Sequence, residues 1–170
     1  EQWKALCDLK KEGKTRTIGV SNYSQSHIQE IINEGLEVPE YNQIELHPWC
    51  QKEELVSFLR EKNIKIVAYS SLVPLEGWRA KPNQDSAKSQ SMKEDGADNS
   101  APFKRMAKKY EVSESQILLK WGLQMGFVIL PKSSDENRIR ENFDLFFQID
   151  DSDMKEISTM DKGDGVAWPN

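Results

Sequence analysis

With 170 residues, a formal net charge of −5 and about 23% of positions taken by Leu, Ile, Val and Phe, the chain is long enough for one domain and apolar enough not to be read as disordered. The excess of acidic over basic residues, 28 against 23, argues against nucleic acid as the main partner, because phosphate backbones call for a basic face. No apolar run approaches the roughly 18 residues of a membrane span. Two cysteines, Cys7 and Cys50, are too few for a disulfide scaffold and point to a reducing, cytoplasmic setting.

The chain opens in helical spacing: Trp3, Leu6 and Leu9 recur every three residues, and Gly13 supplies a left-handed stop. Residues 16–20 (RTIGV) read as a first strand. Ser24 is placed to cap a helix carrying Ile28, Ile31 and Ile32, which Gly35 ends. Residues 41–46 (YNQIEL) read as a second strand, followed by a helix over 52–62 with Leu55, Phe58 and Leu59 on one face. Residues 64–69 (IKIVAY) read as a third strand. Residues 73–101, rich in Ser, Lys, Asp and Pro, are expected to form a variable loop or lid. Ser113 and Gln116 fit a capping box ahead of Ile117, Leu118 and Trp121, and Gly126 closes that helix. A fourth strand at 127–130 (FVIL), a helix over 136–142 capped by Asp135 and a last amphipathic helix over 151–161 complete the order. One helix followed by four βα units predicts parallel strands, since a parallel crossover needs a dozen or more residues.

Polar residues gather at the ends of these strands. Ser21 and Asn22 follow the first; Gln43 and Glu45 lie in the second and His47 follows it; Tyr69, Ser70 and Ser71 end the third; Lys132 and Ser133 follow the fourth. Parallel α/β folds keep their sites at strand C-termini. The stretch PKSSDENRIREN sets Lys132, Ser133 and Arg138 around a helix N-terminus, where free N–H groups and the helix dipole attract anions and the Arg fork suits phosphate. No G-x-G-x-x-G loop is present, so a dinucleotide-binding Rossmann loop is unsupported. Cys7, His27, His47 and Cys50 give no metal-ligand spacing, and His47-Pro48 reads as a strand-ending turn rather than a catalytic base.

Together the segments GKTRTIGVSNYS (13–24), YNQIELHPW (41–49), IVAYSSL (66–72), SESQILLKWGLQMG (113–126) and LPKSSDENRIRENF (130–143) resemble the aldo-keto reductases. The resemblance implies an α/β fold of TIM-barrel type, an (α/β)8 barrel that binds NADP(H) without a Rossmann domain and reduces aldehydes or ketones by hydride transfer. It implies that Ser21, Asn22 and Gln43 bond the nicotinamide carboxamide and that Tyr69 stacks on its ring. Ser70 and Leu72 should line the pyrophosphate path. Lys132, Ser133 and Arg138 should hold the 2′-phosphate of the adenosine ribose, and Glu141 and Asn142 the adenine end.

The family's catalytic Asp, Tyr, Lys and His lie in the N-terminal half of its barrel, and this chain matches about the C-terminal half: four parallel βα units, a C-terminal helix and a tail. No catalytic residue is therefore assigned; Tyr69 and His47 match other family positions. Ser71 stands where many members have Pro. The expectation is a cofactor-binding partial barrel, a piece of a longer enzyme that needs its missing half or a second copy to close, and that is inactive alone. A non-catalytic NADP(H)-binding or regulatory protein of the same fold is the alternative. A complete flavodoxin-type domain would require a fifth parallel strand and an early phosphate loop, and neither is found. Trp78, in the 73–101 loop, either touches the cofactor or packs locally; Trp168 either lies where family members vary to select substrates or belongs to an untethered tail.

Overall fold

The computed structural model describes residues 1–75 and 102–163. Most of the loop at 73–101, with Trp78, and the tail, with Trp168, lie outside the described residues. In chain order the elements are α1 (Gln2–Lys11), β1 (Gly19–Ser21), α2 (Gln25–Asn33), β2 (Tyr41–Glu45), α3 (Glu53–Glu61), β3 (Lys65–Tyr69) and a 3₁₀ turn (Val73–Leu75). There follow α4 (Pro102–Tyr110), α5 (Glu114–Gln124), β4 (Val128–Ile129), α6 (Glu136–Phe143) and α7 (Asp151–Ser158). The four strands form one parallel sheet in the order β1-β2-β3-β4. Spatial order equals chain order, and helices make every crossover, so the parallel α/β architecture expected from the spacing is what the chain adopts. Its contacts cluster into two compact units: 1–44 with 52–67, and 45–51 with 68–170.

In the first unit β1 and β2 pair in register Gly19↔Tyr41, Val20↔Asn42 and Ser21↔Gln43. β1 begins at Gly19 rather than at 16. Pro39 precedes the partner strand and has no N–H to extend the ladder. Gly19 is obligatory, because a Cβ there would stand 2.8 Å from the Tyr41 carbonyl oxygen. α1 buries Trp3 and Cys7 and leaves Leu6 and Leu9 more than a third exposed, so the inward stripe is i, i+4 and not the three-residue repeat. Trp3 and Cys7 pack with Ile18 and Ile31, and the Trp3 indole N–H donates to the Glu37 carbonyl at 2.8 Å. Lys10 bonds Glu37 and, at 2.7 Å, Glu40, which pushes its amine up to about 12. Ser24 caps α2 with His27 in a reciprocal capping box. α3 buries Val56 and Leu59, with Leu55 and Phe58 half-buried.

The second unit centres on α5. Gln116, Ile117, Leu118, Leu119, Trp121 and Gly122 are all buried, the mark of a helix surrounded by protein. Each large apolar side chain so buried stabilises the fold by about 1.5–3 kcal/mol. Ser113 and Gln116 form the expected capping box. The Gln116 amide also donates to the Asp144 carbonyl at 2.6 Å, Lys120 donates to the Leu145 carbonyl at 2.9 Å, and Gln124 exchanges bonds with the Ile149 backbone at 2.8 and 2.9 Å. These bonds fix residues 144–149, and with them the end of α6.

α4 was not anticipated. Pro102 at its first turn and Phe103, Met106 and Ala107 on its buried face give it ordinary helical signals. Its polar side meets α7. Lys109 contacts Asp150 at 2.5 Å and Asp153 at 2.7 Å, the Tyr110 hydroxyl donates to Asp153 at 2.6 Å, and Arg105 bonds Glu156. Burial alone would raise the Asp153 carboxyl, but the bonds from Lys109 and Tyr110 outweigh it and hold the group below its ordinary value. Asp150 is held well below its ordinary value, first by Lys109 and then by its capping bond to the Asp153 N–H. Burial, and then the bond to Asp153, raises Tyr110. α7 stops at Ser158 rather than 161. Ser158 and Thr159 hydroxyls turn back onto the Lys155 and Glu156 carbonyls at 2.7 Å each.

Candidate functional site

The first group of sequence candidates converges at the C-terminal end of β1 and β2. Ser21 Oγ donates to the Gln43 carbonyl at 3.0 Å, and the Asn22 N–H donates to the same oxygen at 2.9 Å. Asn22 takes φ 58, a left-handed value that Asn tolerates better than most side chains. Asn42, fully buried, holds the next residue from both sides: its Nδ2 donates to the Tyr23 carbonyl at 2.8 Å and its Oδ1 accepts from the Tyr23 N–H at 3.4 Å. The Gln43 side chain is half-buried, and its amide makes no hydrogen bond within the described residues. A planar group with one donor face and one acceptor face is thus presented on a fixed backbone, suited to a ligand carboxamide.

The second group meets around a cavity of about 440 Å³. Ser70, Leu72, Lys132, Ser133, Arg138, Glu141 and Asn142 line it, together with Ser71, Val73, Ser115, Leu130, Pro131 and Ser134, which the sequence reading had not assigned to the site. Ser134 continues the Lys132-Ser133 run; Ser115 sits in the first turn of α5, and only the packing brings it here. Tyr69 ends β3 half-buried, with its carbonyl accepting from the Leu46 N–H at 3.3 Å, and is not part of the lining.

α6 places Arg138, Glu141 and Asn142 three and four residues apart, on one face. Asp135 starts that helix by accepting from the Arg138 N–H at 2.9 Å. Ser133 Oγ accepts from the Asp135 N–H at 3.1 Å and so shapes the turn before the helix as well as the cavity wall. Lys132 and Arg138 have no ion-pair partner among the described residues. Two cations that form no ion pair among the described residues, beside a helix N-terminus, fit the phosphate of a nucleotide. Glu141 adds an acceptor to the same wall.

Glu45, His47 and Cys50 also converge, all buried, with one ligand atom of each within 4.8 Å of the others. Sequence spacing had paired His47 with Cys50 but had not added Glu45. The cluster is held by its own bonds, although the buried His47 Nδ1 has no hydrogen-bond partner among the described residues. His47 Nε2 and Glu45 Oε1 lie 2.9 Å apart, and His47 and Cys50 exchange backbone bonds at 3.2 and 2.8 Å. It locks the turn that ends β2, the role expected for His47-Pro48.

The Aldo/keto reductase family profile matches residues 1–162. An oxidoreductase of Schizosaccharomyces pombe is 38% identical over 170 residues, 99% of this chain and 54% of its own length. The aldehyde reductase YPR1 of Saccharomyces cerevisiae is 35% identical over 96% of this chain and 47% of its own length. An aldo-keto reductase solved in complex with NADPH superposes with a TM-score of 0.84 at 28% identity, over 99% of this chain and 49% of that one. The chain therefore spans about half the length of the relatives it matches. On the strength of a match across nearly all of its residues and a parallel α/β fold shared with those relatives, the chain belongs to the aldo/keto reductase family.

Proposed function

We propose that this chain is the cofactor-binding half of an NADP(H)-dependent aldo-keto reductase that reduces aldehydes or ketones to alcohols. The observation that carries the reading is the cavity in which Lys132 and Arg138 stand, with no ion pair among the described residues, beside the start of α6. The NADPH held by one relative and the aldehyde reductase activity named for another support it.

When bound, the cofactor supplies hydride to the substrate's carbonyl carbon. The chain's own residues bind and orient. Lys132, Ser133 and Arg138 hold a 2′-phosphate, and Glu141 and Asn142 the adenine end. Ser70 and Leu72 border the pyrophosphate, and Tyr69 stacks on the nicotinamide. Gln43 and Asn22 hold the carboxamide, and Ser21, whose proton goes to the Gln43 carbonyl, keeps acceptor capacity for the carboxamide N–H. No residue of the chain is assigned to proton transfer; the Asp, Tyr, Lys and His of the family would come from outside these 170 residues. A closed barrel would likewise draw its other strands from a missing half or a second copy. Cys7 and Cys50 are buried and form no disulfide, which supports a reducing, cytoplasmic setting. Among the described residues no helix is long and apolar enough to cross a membrane.

Titration of the 170-residue chain with NADPH and NADH, followed by Trp fluorescence, tests the reading. A charged hydrogen bond is worth about 1.5–3 kcal/mol, so NADPH is expected to bind at least about tenfold more tightly than NADH. Folded protein that binds neither nucleotide would overturn it, and turnover of an aldehyde by the chain alone would overturn the assignment of proton transfer elsewhere.

A further inference from the structure

One polar group in the turn after β3 is left without a role by the family resemblance. Ser71 is 7% exposed, and its hydroxyl oxygen is buried with no hydrogen-bond partner among the described residues. An unpaired buried hydroxyl carries a desolvation cost that Ala would not, so packing alone does not account for Ser here. The residue also lines the cavity that holds Lys132 and Arg138.

The backbone around it is shaped for an anion. Ser70 takes φ 60, and the Val73 N–H closes the turn on the Ser70 carbonyl at 3.1 Å. The N–H groups of Ser70, Ser71 and Leu72 find no acceptor among the described residues. Successive free N–H groups at such a turn form a concavity that attracts negative charge.

We propose that Ser71 is a phosphate-binding residue, donating from its N–H and its hydroxyl to a bridging phosphate of the bound dinucleotide. This rests on the cofactor reading above and adds a contact to it. Rotation about the Cα–Cβ bond, from one staggered well to another, is the movement the hydroxyl requires. The cations of the α6 wall and the Ser70–Leu72 turn then divide the work: the former take a terminal phosphate, the latter the bridge.

Calorimetric titration of the 170-residue chain with NADPH and with adenosine 2′-monophosphate, which lacks the bridge, separates the two. Ser71→Ala is expected to weaken NADPH about tenfold and to leave the monophosphate unchanged, while Ser71→Thr, which keeps the hydroxyl, recovers most of the loss. Ser71→Cys, similar in size and a poor donor, should repeat the Ala result and stands in if the Ala variant does not fold. Unchanged NADPH affinity in Ser71→Ala would overturn the proposal while the cofactor reading stood. Equal loss for both ligands would also overturn it, by showing a general disturbance of the cavity. A wild-type chain that binds neither ligand would overturn both readings.

Discussion

The stretch from Asn42 to Gln51 and the stretch from Leu130 to Phe146 are both at least half polar and use their polar residues in opposite ways. In the first, Asn42 and His47 are completely buried and Glu45 nearly so; Asn42 bonds the Tyr23 backbone and His47 Nε2 meets Glu45, with His47 Nδ1 alone left without a partner among these atoms. In the second, Lys132 and Arg138 face a cavity with no ion-pair partner among the described residues, and α6 buries none of its residues. Phe143 and Phe146 are 80% and 87% exposed. Polar groups bonded inside a fold hold it together; polar groups left unbonded at a cavity are available to a ligand. The first region is scaffold, and the second is surface prepared for contacts.

That contrast predicts opposite phenotypes. The largest effect belongs to Asn42→Ala. It leaves both backbone groups of Tyr23 without their partner, and urea unfolding should show a loss of about 2–3 kcal/mol. A loss below about 0.5 kcal/mol would remove the distinction. Lys132→Met and Arg138→Met should each weaken NADPH roughly tenfold or more, about 1.4 kcal/mol, and leave NADH nearly unaffected. Their unfolding midpoints should stay within about 0.5 kcal/mol of wild type, as for surface changes generally.

The α4–α7 ion cluster supplies a pH test. Asp150 and Asp153 are held below their ordinary values in the folded state, so their contribution is present above about pH 4, the unfolded range, and is lost as pH falls through the folded values. Melting temperature should therefore drop below about pH 4, and less steeply in Lys109→Met. A parallel pH profile for that variant would show that Lys109 does not set the shift. Smallest of all, Phe146→Ser should change stability by less than about 0.5 kcal/mol while reducing self-association in light scattering. A larger loss would mean that the exposed ring already has a packing role.

Much of this was readable beforehand because the signals are local. Ser24 with His27, Ser113 with Gln116 and Asp135 before α6 are caps, formed within three residues of themselves. Gly13, Gly35 and Gly126 stand at positive φ at helix ends, where a left-handed residue is required. α4 carried equally local signals, Pro102 and the Phe103, Met106, Ala107 face, and was legible though unread. The repeat of Trp3, Leu6 and Leu9 marked α1 as a helix but not its buried side, which the packing partners Ile18 and Ile31 assign to Trp3 with Cys7. Glu45 joined His47 and Cys50 because the turn folds residue 50 back on residue 47, a path that spacing does not show.

The sequence by itself determined the order of helices and strands, their parallel sense, the family, and the anion character of Lys132–Arg138. Each follows from periodicity, capping chemistry or residue type within a short window. Tertiary structure decided where β1 begins, which face of α1 is inside, that Ser115 of α5 shares a cavity wall with α6, and that the Ser71 hydroxyl is buried without a partner among the described residues. Those outcomes depend on which distant backbone supplies or withholds a hydrogen bond, and that is settled only when the chain has packed.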